Sequence, residues 1–134
     1  MNIDMIYIAP SHFDNGFPAF WRLVWKSHVA EFSDLDLAER QLCMEALVAI
    51  ERVVRSELAP TKINLASLGN AVPHLHWHVI GRFDWDSHFP APVWGQQTRE
   101  PEPIRLAALE ERCAQVDAAL ARALASGRQN PAPS

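Results

Sequence analysis

Two strand-like runs limit this chain more than anything else in it: TKINLASL at 61–68 and HLHWHVIGRF at 74–83, with only GNAVP between them. Both are rich in β-branched or aromatic residues. A parallel pairing needs a crossover of roughly a dozen residues or more, so a five-residue connection leaves antiparallel neighbours. FWRLVWK at 20–26 reads as another strand. The stretch before it is punctuated by Pro10, Gly16 and Pro18 and reads as loop, with one short strand expected at 5–8.

Helical periodicity occupies the rest. In SDLDLAE, Asp36 precedes Glu39 by three residues, the spacing of a capping box. Cys43, Leu47, Ile50, Val54 and Leu58 then recur at steps of three or four, with Glu45, Arg52 and Arg55 between them. That pattern predicts an amphipathic helix over 36–58, ended by Pro60. After a Pro- and aromatic-rich segment, DWDSHFPAPVWG, which reads as an ordered loop, Pro103 can open a last helix. Its stripe is Leu106, Leu109, Cys113, Val116, Leu120 and Leu124; Gly127 is expected to stop it and NPAPS to fray. No repeat or linker divides the chain, so 1–125 reads as a single domain and 126–134 as a flexible tail.

Composition excludes some functions. The 134 residues are 49% hydrophobic and 21% charged, an ordinary globular balance with enough length for a core. No run approaches the roughly 20 apolar residues of a membrane helix. MNIDMIYIAP lacks a basic start and a small-residue cleavage site, so no signal peptide is read and the cytoplasm is expected. A net charge of −4 argues against a bulk electrostatic grip on nucleic acid. A small phosphate-bearing ligand depends on local donors instead. Cys43 and Cys113 have neither metal nor redox spacing; each falls in a helical stripe and is expected to be a core thiol.

His74, His76 and His78 occupy alternate positions of one run. In a strand they share one face, leaving Leu75, Trp77 and Val79 to the core. Three readings follow from the residues alone. The first is a half-exposed polar strand. The second is a metal site, but His74 and His78 lie roughly 13 Å apart along a straight strand. A zinc ion needs each nitrogen at about 2.0–2.1 Å, so it takes two neighbours at most and a third ligand from His12, His28 or His88. The third is catalysis at phosphorus, where a neutral imidazole attacks without a metal and flanking imidazoles donate to phosphate oxygens. A backbone carbonyl holding one ring nitrogen would present the other for attack.

HLHWHVI also fits His-x-His-x-His-x-x with apolar x, and so resembles the motif of the histidine triad (HIT) superfamily of nucleotide hydrolases and transferases. KSHVAEFSDL is similar to that family's upstream segment, which carries a further histidine, and the order of elements agrees. The likeness runs from about 20 to 94, and INLASLGNAVPHLHWHVIGRF is especially similar to a bacterial branch related to diadenosine tetraphosphate hydrolases. The resemblance implies an α+β HIT-like domain, an antiparallel sheet with a central helix and a C-terminal helix, assembled as a homodimer. It implies attack on the α-phosphate of a dinucleoside polyphosphate or a nucleoside phosphoramidate. On it, His76 is the nucleophile that forms a nucleotidyl-histidine, and His78 donates to a non-bridging oxygen. His74 orders the site through its carbonyl, and His28 is the upstream histidine. Ser67, Gly69 and Asn70 are placed near phosphate or ribose; Trp94, with His88, is placed at the mouth of the site, where an indole can stack on a ring.

One departure stands out. Many members carry Gly-Gln followed by Ser or Thr, whereas Gly69, Asn70 and Ala71 put no hydroxyl at that point. The implied chemistry needs no bound cofactor or metal; a divalent cation enters only if a polyphosphate substrate carries one. Neither nucleic acid nor membrane is expected as a partner. Two alternatives remain: a metal-binding module built on the histidine strand, and a non-catalytic nucleotide-binding protein that keeps the triad.

Overall fold

The short connection closes as its length requires. In the computed structural model, which describes residues 3–10 and 16–129, β3 (Lys62–Ala66) pairs antiparallel with β4 (His76–Arg82), Ala66 opposite His78 and Lys62 opposite Arg82. The other edge of β4 takes β2 (Phe20–Trp25), with Arg22 opposite His78 and Val24 opposite His76. β1 (Ile6–Pro10) completes the sheet on the far side of β2, giving the order β1-β2-β4-β3. Because β2 and β3 both run antiparallel to β4, they are parallel to each other. The helix between them, α1 (Leu37–Leu58), is therefore the crossover.

Strand alternation decides what α1 covers. Trp21, Leu23 and Trp25 of β2, Val79 of β4 and Ile63 of β3 are buried on the helical face. They meet Cys43, Leu47, Ile50 and Val54, four of the five residues of the first stripe, while Leu58 is partly buried at the edge. Gly81 allows a close approach: a Cβ there would lie 3.2 Å from the Ala19 Cβ and 3.6 Å from Val54 Cγ1. α2 (Pro103–Gln129) docks on α1 and buries Leu109, Cys113, Val116 and Leu120. The result is the expected α+β arrangement.

The capping box forms as read. Asp36 accepts from the Glu39 N–H and Glu39 from the Asp36 N–H, each at 2.8 Å, an arrangement that stabilises a helix start by about 1 kcal/mol. Both cysteines are free and buried. Burial, with Glu39 nearby, pushes the Cys43 thiol up to about 11; burial, with Asp117 and Glu110, pushes Cys113 up to about 12. They are protonated core thiols.

Several boundaries differ from expectation. A 3-10 turn, Ile3–Met5, precedes β1, which starts one residue later and ends two residues later than read because its partners on β2 run from Trp25 to Trp21. β3 stops at Ala66 and β4 starts at His76, shorter at both facing ends than the runs that predicted them. α2 continues past Gly127 to Gln129, so 126–129 are helical rather than tail. One glycine near a terminus costs roughly 1 kcal/mol, too little to break a long docked helix. Residues 130–134 and His12 lie outside the described residues. Among the described residues, no helix is long and apolar enough to cross a membrane.

Candidate active site

His76 and His78 point to the sheet face opposite the helices, the face they share with Ile80 and Arg82 on β4 and with Phe20, Arg22 and Val24 on β2. His74 does not share it by strand alternation, because it precedes the strand. Its N–H turns back to the Val72 carbonyl at 2.8 Å, and the next N–H, of Leu75, goes to Val29 O at 2.8 Å. Its ring reaches the end of β2, with Nε2 2.5 Å from Trp25 O. Its Nδ1 meets His28 Nδ1 at 3.0 Å, the two rings lying 15° from parallel. A carbonyl only accepts, so His74 Nε2 carries a proton. In neutral His74, Nδ1 is then the acceptor and His28 the donor. The upstream histidine is thus brought to the triad, though by the ring of His74 and not by that of His76.

His74 orients its neighbour through its backbone. His76 Nδ1 donates to the His74 carbonyl at 2.6 Å, which fixes the tautomer of a neutral ring and leaves the lone pair on Nε2. Ser67 Oγ donates to the His76 carbonyl at 2.9 Å. This hydroxyl therefore braces the strand that carries His76 and is not free for a ligand.

His78 is only 6% exposed, so the histidine face is roofed at this point and not open along its length. Phe20 and Trp94 pack edge-on against its ring, each with centroids 5.4 Å apart, and the His76 ring stands perpendicular to it at 5.0 Å. Its Nδ1 is buried and has no hydrogen-bond partner among the described residues. Burial above all, then the charges of His76 and Arg22, pushes its pKa down to about 4. A histidine so placed is neutral at pH 7 and has one N–H to give.

The roof is held by a segment that sequence reading treated as an ordered loop with Trp94 and His88 at the mouth of the site. Arg82 is 2% exposed and donates to Asp86 from Nε and Nη2 at 2.9 and 3.1 Å, to Asn64 Oδ1 at 3.0 Å and to Ala91 O at 2.8 Å. Asp86 also accepts from the N–H groups of Phe83, His88 and Phe89. Burial pushes Asp86 upward, but the hydrogen bonds from Arg82, Phe83 and His88, with the charge of Arg82, outweigh it and hold the carboxyl below its ordinary value. Arg99 adds bonds to the Asp86 and Phe89 carbonyls. This knot fixes the loop whose Val93 packs on Phe17, Phe20 and Ile80, and whose Trp94, 53% exposed, stands beside His78.

The remaining sequence candidates divide. Trp94 reaches the site. His88 does not: its ring is bonded to Ser87 Oγ at 2.7 Å and packs edge-on to Phe17, within the loop. Gly69 adopts φ +77°, so its part is conformational, and Asn70 and Ala71 are exposed. Arg22, Arg82 and Asp86 were missed. The one local signal was the i, i+4 charge pair in RFDWD. Among the described residues no group of three or more His, Cys, Asp or Glu is arranged to hold a metal ion. A groove of about 360 Å³ lies elsewhere, between β1 and α2, lined by Ile6, Ile8, Leu120 and Leu124 and by none of the histidines.

Comparison with known proteins fits this geometry. The HIT domain model matches residues 7–85. A histidine triad protein from Bradyrhizobium japonicum is 26% identical, with a TM-score of 0.65 and 83% of each chain covered. A histidine triad (HIT) protein from Sinorhizobium meliloti 1021 is 25% identical, with a TM-score of 0.65, over 84% of this chain and 83% of that one. A histidine triad protein from Marinobacter aquaeolei VT8 is 30% identical, with a TM-score of 0.61, over 80% and 79%. No curated protein matches the sequence.

Proposed function

The chain belongs to the HIT domain family, and from that premise we propose that it is a nucleotide hydrolase or transferase working through a covalent nucleotidyl-histidine on His76. The observation that carries the reading is the 2.6 Å bond from His76 Nδ1 to the His74 carbonyl. It turns the Nε2 lone pair into the free end of a ring that cannot take the other tautomer without losing that bond.

In the first step Nε2 of His76 forms a bond to the α-phosphorus. The bond from phosphorus to the leaving group breaks, and its electron pair goes with the leaving group. In the second step the oxygen of water, or of another acceptor, bonds to phosphorus. The N–P electron pair returns to His76, the proton of the acceptor passes to solvent, and a nucleoside monophosphate is released. Splitting one displacement into two lowers each barrier. His78, neutral and roofed, donates from Nε2 to a non-bridging oxygen, because its Nδ1 is enclosed with no partner among the described residues. Trp94 offers an exposed indole beside His78 for a base or leaving-group ring. Dinucleoside polyphosphates and nucleoside phosphoramidates both present the required α-phosphate.

Ala71 supports a second reading, a nucleotide-binding protein with little turnover. It is exposed in the loop ahead of the triad and brings no hydroxyl to it. One experiment separates the two. Wild type and His76→Ala are mixed, in EDTA, with a diadenosine polyphosphate and with adenosine phosphoramidate, then quenched in acid-free denaturant for intact mass. AMP release, and a nucleotidyl adduct in wild type alone, are expected. AMP bound without release would favour the second reading; turnover by His76→Ala would overturn the first.

A further inference from the structure

β1 is an edge strand, and the phase of its ladder shows which of its backbone groups β2 leaves over. The Lys26 N–H donates to the Met5 carbonyl at 2.9 Å, which makes Met5 and Lys26 a hydrogen-bonded pair. Such pairs recur at every second residue of an antiparallel ladder. Tyr7 and Ala9 therefore bond to β2, while Ile6, Ile8 and Pro10 turn their backbone groups to the open edge. The 3-10 turn Ile3–Met5 takes up the Ile6 N–H, as its i→i+3 pattern requires, and Pro10 has none. In the middle of the edge the Ile8 N–H faces outward between the Ile6 and Ile8 carbonyls. These three groups have no partner among the described residues.

The groove of about 360 Å³ lies against this edge. Its lining comes from both faces of the strand, Ile6 and Ile8 from the helical side and Tyr7 from the other. The open space therefore runs past the edge itself. α2 forms the far wall with Leu120 and Leu124. Lys26 lines the groove at the Ile6 end, exposed and with no carboxylate against its ammonium among the described residues. Asp117, also on the groove, is bonded to Trp21 Nε1 at 2.7 Å.

We propose that this edge is a docking site for an extended segment of another protein, with apolar residues at alternate positions turned to Ile6, Ile8 and Leu124 and a carboxylate beside Lys26. The outward groups set that chemistry. An acceptor, a donor and an acceptor in succession require a donor, an acceptor and a donor, the order that an extended backbone repeats. An acyl chain carries none of these. A second copy of β1 answers less well: it brings the Ile8 N–H alone for two carbonyls, whereas a separate strand brings an N–H for each. Alternate side chains of the added strand fall on its two faces. One row enters the apolar groove, and the other lies beside Tyr7 and Lys26. None of the histidines lines this groove, so the docking does not depend on the chemistry proposed for His76.

The test is a backbone-amide NMR titration of the whole chain with the synthetic peptide acetyl-Thr-Val-Thr-Val-Glu-amide, alongside Lys26→Glu and Ile8→Pro. Saturable shifts led by the Ile8 amide and its neighbours on β1 and α2 are expected, with the amides of His76 and His78 unmoved. Lys26→Glu should weaken this peptide by about threefold or more, and tighten one that ends in Lys in place of Glu. Ile8→Pro removes an N–H that β2 does not use, and should weaken binding by about tenfold. The charge exchange carries the test if that variant fails to fold. No saturable shift, shifts away from β1, or affinities that ignore the charge exchange would overturn the proposal. So would Ile8 shifts that follow protein concentration without peptide, which would give the edge to a second copy. Full displacement of the peptide by dodecanoate at the same concentration would also overturn it, leaving a groove for apolar chains.

Discussion

At the C-terminal end of β4, Arg82 is 2% exposed and its guanidinium is spent on Asp86, Asn64 and a backbone carbonyl. Four residues earlier His78 is 6% exposed, and among the described residues its Nδ1 has no hydrogen-bond partner. The two side chains share a strand, a face and a degree of burial. A buried polar group without a partner costs stability, typically 1–3 kcal/mol, whereas a saturated one holds its surroundings in place. The difference separates a scaffold end of the strand from a working end. Charge and burial alone would have ranked Arg82 the more important residue; completeness of hydrogen bonding reverses that order.

The contrast breaks most sharply at His76. His76→Ala should lower kcat by about 10³-fold or more while moving the urea midpoint little, because the side chain lies off the helical core. A collapse of folding with activity retained per folded molecule would erase the distinction between the two ends. Asp86→Ala should do the reverse. It strands a buried guanidinium and three backbone N–H groups, and a loss of about 3–5 kcal/mol in urea unfolding is expected. A loss below about 1 kcal/mol would show that the knot does not hold the loop.

Acid should separate the ends further. With the folded pKa of His78 lowered from 6.5 to about 4, the unfolded chain binds more protons between those values. Stability from this group is then full above about pH 6.5 and falls as the pH drops toward 4, by about 2–3 kcal/mol. Asp86 works in a lower window. Its carboxyl is held down in the fold, so its contribution persists above the ordinary carboxylate range and is lost only as the pH falls below it. Urea unfolding of wild type and His78→Asn at pH 7, 5.5 and 4.5 checks this; an unchanged slope in the variant would remove His78 as the cause. The smallest effect belongs to Ser67→Ala. Losing one hydrogen bond to the His76 carbonyl should cost about 1 kcal/mol and a few-fold in kcat, measured on the same substrate panel.

What was legible in the sequence was whatever depends on short spacing. The Asp36–Glu39 box, both helical stripes, the antiparallel β3–β4 pair and the alternation of His76 and His78 all lie within local windows, and each was found where expected. His74 was misplaced because where a strand starts depends on distant partners, here Trp25, which meets the His74 ring from 49 residues away, and Val29, which takes the Leu75 N–H. Arg22 was invisible for the same reason: only the pairing of β2 with β4 puts it opposite His78. Arg82 and Asp86 stood four apart in plain view. Nothing in their spacing said that a loop would fold back to give Arg82 the Ala91 carbonyl, or that the pair would be sealed from water.

The strand order has a consequence for how the molecule is built. β4 lies between β2 and β3, yet it follows both in the chain. As the polypeptide grows, the first three strands leave two facing edges without a ladder, and neither can be satisfied by the other once β4 is to fit between them. The sheet is completed only by the segment that carries His76 and His78. Contacts of such long range are closed late and slowly in folding. Assembly of the domain and assembly of its candidate site are therefore one event: a nascent chain that has not yet made β4 lacks His76, His78 and the seam of its own fold together.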